Sequence, residues 1–224
     1  MSVSNWELAK RIIGPEELSS KSPKSKTIAN TKLTAMVGLV IFVLLALEGV
    51  TIPFIGPLFT LHAFIGWVLL PPILLKISST SYRFVMYYSG NYKYVKAGPP
   101  KPLLRIIAPL IILTTALLMW SGIEMVLIGP TGPGVRTWFT IHRASFIIWF
   151  ALMAVHVLAY FVKATSFALP EFTRKQGMHT LRVPWRNLRM ALVVGSVVIG
   201  IILGFSEWHL ANNWMALFRN ARRG

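Results

Sequence analysis

The sequence predicts an all-α integral membrane protein, and three observations predict it. Of its 224 residues, 54% are hydrophobic and only 13% charged, against about 25% charged in soluble domains. Five apolar runs approach or exceed the roughly 20 residues that carry a helix across a bilayer. Basic residues gather between alternate runs, as the positive-inside rule requires of a multi-pass chain.

The runs cover residues 33–52, 58–77, 103–128, 138–162 and 190–205, and the fifth is the shortest and extends toward 210. Pro53, Pro57, Pro102 and Gly129 mark segment ends, where prolines and glycines serve as start and stop signals. Pro71 and Pro72 fall inside the second run, so a kink is expected there, with neighbouring helices satisfying the freed carbonyls. The organisation that follows is a cytoplasmic segment 1–32, a four-helix core 33–165, a cytoplasmic loop 166–189, a fifth transmembrane helix 190–210 and a basic tail 211–224.

The chain carries 23 Lys and Arg against seven acidic residues, for a formal charge of +16. In a soluble protein that excess would point to nucleic acid. Here the cations flank apolar runs, so they read as topology signals and contacts to lipid headgroups, with no nucleic acid as partner. Six precede the first run and none separates the first from the second. Counting the edges of the runs, six lie at the second connection (Lys76 and Arg105 on its edges), two at the third (Arg136, with Arg143 on its edge) and six between the fourth and fifth runs. That alternation predicts a cytoplasmic N-terminus. Arg219, Arg222 and Arg223 run against it, and the alternative is a fifth run that does not cross fully. The polar N-terminal stretch lacks the apolar core of a signal peptide. The stretch 78–102 is rich in Tyr, Lys and Arg. It reads as an interfacial segment on anionic lipid or, more sharply, as a docking surface for a cytoplasmic electron-transfer partner.

Cysteine is absent. That excludes Cys-ligated iron–sulfur clusters, covalently attached c-type haem, thiolate zinc and disulfides. No nucleotide-binding loop or Ser/His/Asp arrangement is present, so nothing marks a bond-making enzyme. Three of the five histidines, His62, His142 and His156, lie within apolar runs. Ionisable residues at such positions are costly and are functional by default, although a single one can simply hydrogen-bond between helices. His142 and His156 are 14 residues apart. On one helix that returns to within about 40° of the same face and separates them by roughly 21 Å along the axis, which suits two cofactors stacked across the membrane. His62 and His142 each lie near the start of helices that run in the same direction. They share an outer level and are placed to bind one iron from opposite faces of a porphyrin. The position 14 residues beyond His62, level with His156, is Lys76.

Other residues join this pattern. Arg143, next to His142, suits a haem propionate through a charge-assisted hydrogen bond. Gly66, one turn past His62, gives room for a flat ring or for helix packing. Glu48 and Glu124 share the outer level. They read as interfacial carboxylates or as proton acceptors for a quinol. A rival set of Glu48, His62, Glu124 and His142 would ligate a non-haem metal. Trp67, Trp120, Trp138 and Trp149 read as belt or bundle aromatics. Gly200 and Gly204 form a small-xxx-small face for close helix contact, within the chain or with a partner subunit. His179 and His209 lie outside the runs and read as non-ligands.

The stretches LHAFIGWVLLPPILLKISST and TIHRASFIIWFALMAVHVLAY resemble the bacterial membrane b-type cytochrome superfamily. That group includes the small di-haem quinol-oxidising cytochromes and the cytochrome b subunits of hydrogenases and formate dehydrogenases. The resemblance covers under half the chain. It implies a four-helix haem-binding bundle with two b haems stacked across a bacterial cytoplasmic membrane, to which the fifth run adds a transmembrane helix. It also implies bis-His haem b, with His62 and His142 on the outer haem and His156 on an inner one. This sequence departs from the pattern at the fourth ligand, where Lys76 stands. His156 then pairs with Lys76, pairs with Met36 near the start of the first run, stays five-coordinate or holds nothing. One haem b is expected and a second is open. The expected function is transmembrane electron transfer, as the cytochrome subunit of a redox complex linked to quinone or quinol. The alternatives are a non-catalytic anchor or scaffold subunit and the Glu/His metal protein.

Overall fold

A computed structural model of the chain describes residues 25–96, 98, 102–173 and 185–220. Residues 1–24, most of the loop that carries His179, and residues 221–224 with Arg222 and Arg223 lie outside the described residues. Every regular element described is helical: α1 (Ser25–Thr51), a 3-10 turn (Ile52–Phe54), α2 (Ile55–Tyr88), α3 (Tyr92–Lys96), α4 (Pro102–Ile128), α5 (Val135–Thr173), α6 (Arg186–Ser206), a second 3-10 turn (Trp208–Leu210) and α7 (Ala211–Asn220).

Four helical stretches among the described residues are long and apolar enough to cross a membrane: Thr27–Tyr88, Arg105–Ile128, Val135–Thr173 and Arg186–Ser206. The first has 62 residues. Laid straight it would measure roughly 93 Å, about three times a bilayer's hydrocarbon thickness. It doubles back instead at Ile52–Phe54, where Pro53 interrupts the regular ladder. Hydrogen bonds then join α1 to the far part of α2, Asn30 Nδ2 to the Ser79 carbonyl at 3.0 Å and Thr34 Oγ1 to Ser79 Oγ at 2.9 Å.

The helices outrun the apolar segments that mark them. α2 has 34 residues and α5 has 39. Residues 166–173 and 186–189, expected as loop, are helical, as are 25–32 and much of the tail after 210. Hydropathy marks only the part of a helix that lipid would surround, while the hydrogen-bonded ladder continues into polar and aromatic sequence. Helix α2 also stays continuous through Pro71 and Pro72. Gly129 closes α4 with φ +76°, a conformation that glycine adopts without a Cβ penalty, and its N–H donates to the Met125 carbonyl at 3.1 Å.

The chain divides into two compact units. The first comprises Met1–Val40, Leu75–Pro99 and Tyr160–Val194. At its centre Glu171 is 2% exposed and accepts Lys32 Nζ at 2.8 Å and Arg189 Nη2 at 2.7 Å. The Arg186 guanidinium donates to the Glu171 carbonyl. Lys32 and Arg189 are themselves buried. The sequence assigned both to topology and lipid headgroups; they instead neutralise a carboxylate that burial would otherwise make very costly. Tyr94 of α3 packs edge-on against Tyr82 of α2, with ring centroids 6.1 Å apart.

The second unit comprises Ile41–Leu74, Pro100–Ala159 and Gly195–Gly224. Trp149 Nε1 of α5 donates to Thr115 Oγ1 of α4 at 2.9 Å, an interhelical bond of the kind worth about 0.6 kcal/mol in membrane bundles. The Gly200 and Gly204 face of α6 packs within the chain, on α2. A Cβ on Gly200 would stand 2.4 Å from the Val68 carbonyl oxygen, and one on Gly204 would stand 2.7 Å from the Phe64 ring. Val68 is the residue whose carbonyl loses its helical partner to Pro72. The α-hydrogen of Gly200 therefore points at a freed acceptor, a weak C–H···O contact. After the second 3-10 turn, α7 buries Ala211 and Trp214. The Trp214 ring stacks on Phe59 at 5.2 Å, and its Nε1 donates to the Met125 carbonyl at 3.3 Å.

Candidate functional site

The second unit brings His62 of α2 and His142 of α5 together, with ring centroids 6.4 Å apart and planes inclined at 80°. Each imidazole is held by its Nδ1. His62 Nδ1 lies 2.8 Å from Thr51 Oγ1 and 3.1 Å from Glu48 Oε1. The Thr51 hydroxyl already donates to the Glu48 carbonyl at 2.6 Å, so toward His62 it acts as an acceptor. His142 Nδ1 lies 3.1 Å from the Leu118 carbonyl and 3.1 Å from Ser121 Oγ. A carbonyl can only accept, and Ser121 donates backward to the Leu117 and Leu118 carbonyls at 2.7 and 3.0 Å. The Leu118 carbonyl assigns the proton of His142 to Nδ1, and the Thr51 hydroxyl, already donated to a carbonyl, favours the same tautomer in His62; that tautomer leaves Nε2 with its lone pair.

Local sequence explains how the partners arrive. Glu48 and Thr51 are three apart near the end of α1, and the 3-10 turn delivers α2 back beside them. Leu118, Ser121 and Gly122 lie within four residues of one another on α4. A Cβ on Gly122 would stand 3.3 Å from His142 Cε1, so the absent side chain lets the ring lie against the helix backbone. Thr51, Leu118, Ser121 and Gly122 were not singled out from the sequence. Hydroxyl, carbonyl and glycine positions in a transmembrane helix carry no signal of their own until the neighbouring helix is placed.

The remaining expected residues are distributed as follows. His156 is half-buried on α5 within the second unit, and Met36 and Lys76 belong to the first. Met36 is fully buried on α1. Lys76 Nζ donates to the Thr34 carbonyl at 2.6 Å, and a Cβ on Gly38 would stand 2.7 Å from that nitrogen. Arg143 is exposed, its guanidinium 5.5 Å from the centre of the Phe139 ring. Glu124 is half-buried. Gly66 faces Glu48, with a Cβ position 4.0 Å from Oε1. His209 is exposed, and its Nδ1–H donates to the Ser206 carbonyl at 3.0 Å. Among the described residues, no group of three or more His and Glu side chains gathers as a metal ion would require. The four-residue set of Glu48, His62, Glu124 and His142 is therefore not assembled as a non-haem centre.

No protein-family model, no curated protein and no solved structure matches the chain.

Proposed function

We propose that the chain is a multi-pass b-type cytochrome of a bacterial cytoplasmic membrane that crosses the bilayer five times with its N-terminus inside. In this reading His62 and His142 hold one haem b, and the protein carries electrons across the membrane as the cytochrome subunit of a quinone-linked redox complex. One observation carries the reading: two imidazoles from different helices lie with ring centres 6.4 Å apart, each engaged at Nδ1 by an oxygen of a neighbouring helix. Metal-ligating histidines are oriented in this way, by an acceptor on the ring nitrogen remote from the metal.

The residues fit the group. Two imidazoles on opposite sides of one iron, each with a metal–nitrogen bond of about 2 Å, place their ring centres roughly 6 Å apart, and these stand at 6.4 Å. When bound, haem b supplies reversible one-electron chemistry, at a potential tuned by its ligands and surroundings. The chain supplies the rest. Thr51 and Glu48 orient His62, Leu118 and Gly122 orient His142, and Trp214 of α7 packs over Phe59, three residues before His62. Arg143, adjacent to His142 and exposed, is available to a propionate. His156 is the ligand candidate for a second haem. Lys76 donates to the Thr34 carbonyl and is engaged there by α1.

Purified protein expressed with ample haem should show a Soret band and, on reduction, an α band, and pyridine haemochrome counts haems per chain. His62→Ala and His142→Ala should each abolish the same haem signal. A colourless protein under these conditions overturns the reading and leaves a membrane anchor or scaffold. Full retention of haem in both variants means that other ligands hold it.

A further inference from the structure

The two supports are unlike each other. His142 rests on a neutral carbonyl and a hydroxyl. His62 rests on a hydroxyl and a carboxyl oxygen. Resting on the haem reading above, we propose that Glu48 is a positioning residue. With Thr51 it fixes the His62 tautomer and makes the two ligands inequivalent, biasing the site toward its oxidised state.

Three features of Glu48 support this. Its Oε1 lies 3.1 Å from His62 Nδ1, and its side chain is only 15% exposed. Its Oε2 is buried with no hydrogen-bond partner among the described residues. A carboxylate buried with so few partners is costly unless a positive charge lies close. No lysine or arginine forms an ion pair with Glu48 among the described residues. Iron held at Nε2 of His62 would supply that charge across the ring, 3.1 Å from Oε1 on the Nδ1 side. A hydrogen-bonded carboxylate raises the basicity of its imidazole, so it favours the more positive iron state and lowers the midpoint potential. Gly66 opposite leaves the carboxylate its space, since a Cβ there would stand 4.0 Å from Oε1.

Two measurements test this. The first is a redox titration of the haem-loaded full chain. Glu48→Gln should keep the haem and favour reduction about tenfold, a rise of about 59 mV for one electron. Glu207→Gln, which alters a carboxyl group outside this site, should leave the potential near wild type. An unchanged potential in a fully loaded Glu48→Gln protein overturns the role of Glu48 while the haem reading stands. The second measurement needs no haem. In haem-free protein labelled with nitrogen-15 histidine, magnetic resonance should report His62 as the Nδ1–H tautomer. Glu48→Leu combined with Thr51→Val should erase that preference. A wild-type His62 protonated at Nε2 overturns the proposal even if a variant fails to take up haem. A wild-type chain that binds no haem overturns the function reading instead.

Discussion

Gly122 decides how closely α4 approaches the His142 ring. A side chain there would meet Cε1 at 3.3 Å and Nδ1 at 3.5 Å, so an alanine demands a shift of a few tenths of an ångström and a valine demands much more. Gly122→Ala should bind haem at reduced affinity, and Gly122→Val should lose most of it, read as haem per chain by pyridine haemochrome. Equal loading in Gly122→Val would show that the His142 ring does not depend on this contact. At this scale the sequence disclosed the ligand candidates and little of what orients them. A histidine in an apolar run stands out because its burial is expensive. The Leu118 carbonyl belongs to a backbone common to every residue, and Thr51 and Ser121 look like ordinary small polar residues of a helix. Which hydroxyl faces which ring depends on the rotation of one helix about its axis relative to the next, and that is set by packing.

Among the elements, the helix centres were legible and their ends were not. All five apolar runs fall in helices. The length of α5 beyond Val162, and the start of α1 before Leu33, lie in sequence that hydropathy treats as loop. These stretches contain the buried Lys32 and Glu171, which with the buried Arg189 in the first turn of α6 join α1, α5 and α6. Charged residues near segment ends usually read as solvated, and nothing in the spacing of 32, 171 and 189 reveals that they meet. Glu171→Gln leaves two buried cations without their carboxylate, a loss of about 3–5 kcal/mol when one member of a buried pair is removed. Its unfolding temperature in detergent should fall clearly below wild type, while Glu207→Gln, on a half-buried residue near the end of α6, should change little. Equal stability of the two variants would show that the cluster is dispensable.

For the whole molecule, the distribution of charge follows the division into units. Among the described residues the first unit has Glu171 as its single carboxylate beside many lysines and arginines, whereas Glu48, Glu124 and Glu207 all belong to the second. On the topology proposed above, Ser89, in the Lys- and Arg-rich stretch after α2, should face the cytoplasm, and Thr131, between α4 and α5, the opposite side. The absence of native cysteine makes this direct to test. In spheroplasts, an impermeant thiol reagent should label Thr131→Cys and spare Ser89→Cys until the membrane is opened. The reverse pattern would invert the topology. The long apolar helices were readable because lipid imposes them on composition; the meeting of α6 with α2 was readable only as a capacity for close contact.

That meeting has a consequence for how damage could be repaired by a second mutation. The neighbours of a Cβ on Gly204 include the Phe64 ring at 2.7 Å, whereas those of a Cβ on Gly200 are the Val68 oxygen, Cα and carbonyl carbon. A selection for restored function starting from Gly204→Ala should yield suppressors at Phe64, where a smaller side chain makes room. The same selection starting from Gly200→Ala should yield none at Val68, because every residue brings the same backbone there. Only reversion, or changes that move one helix away from the other, remain open to it.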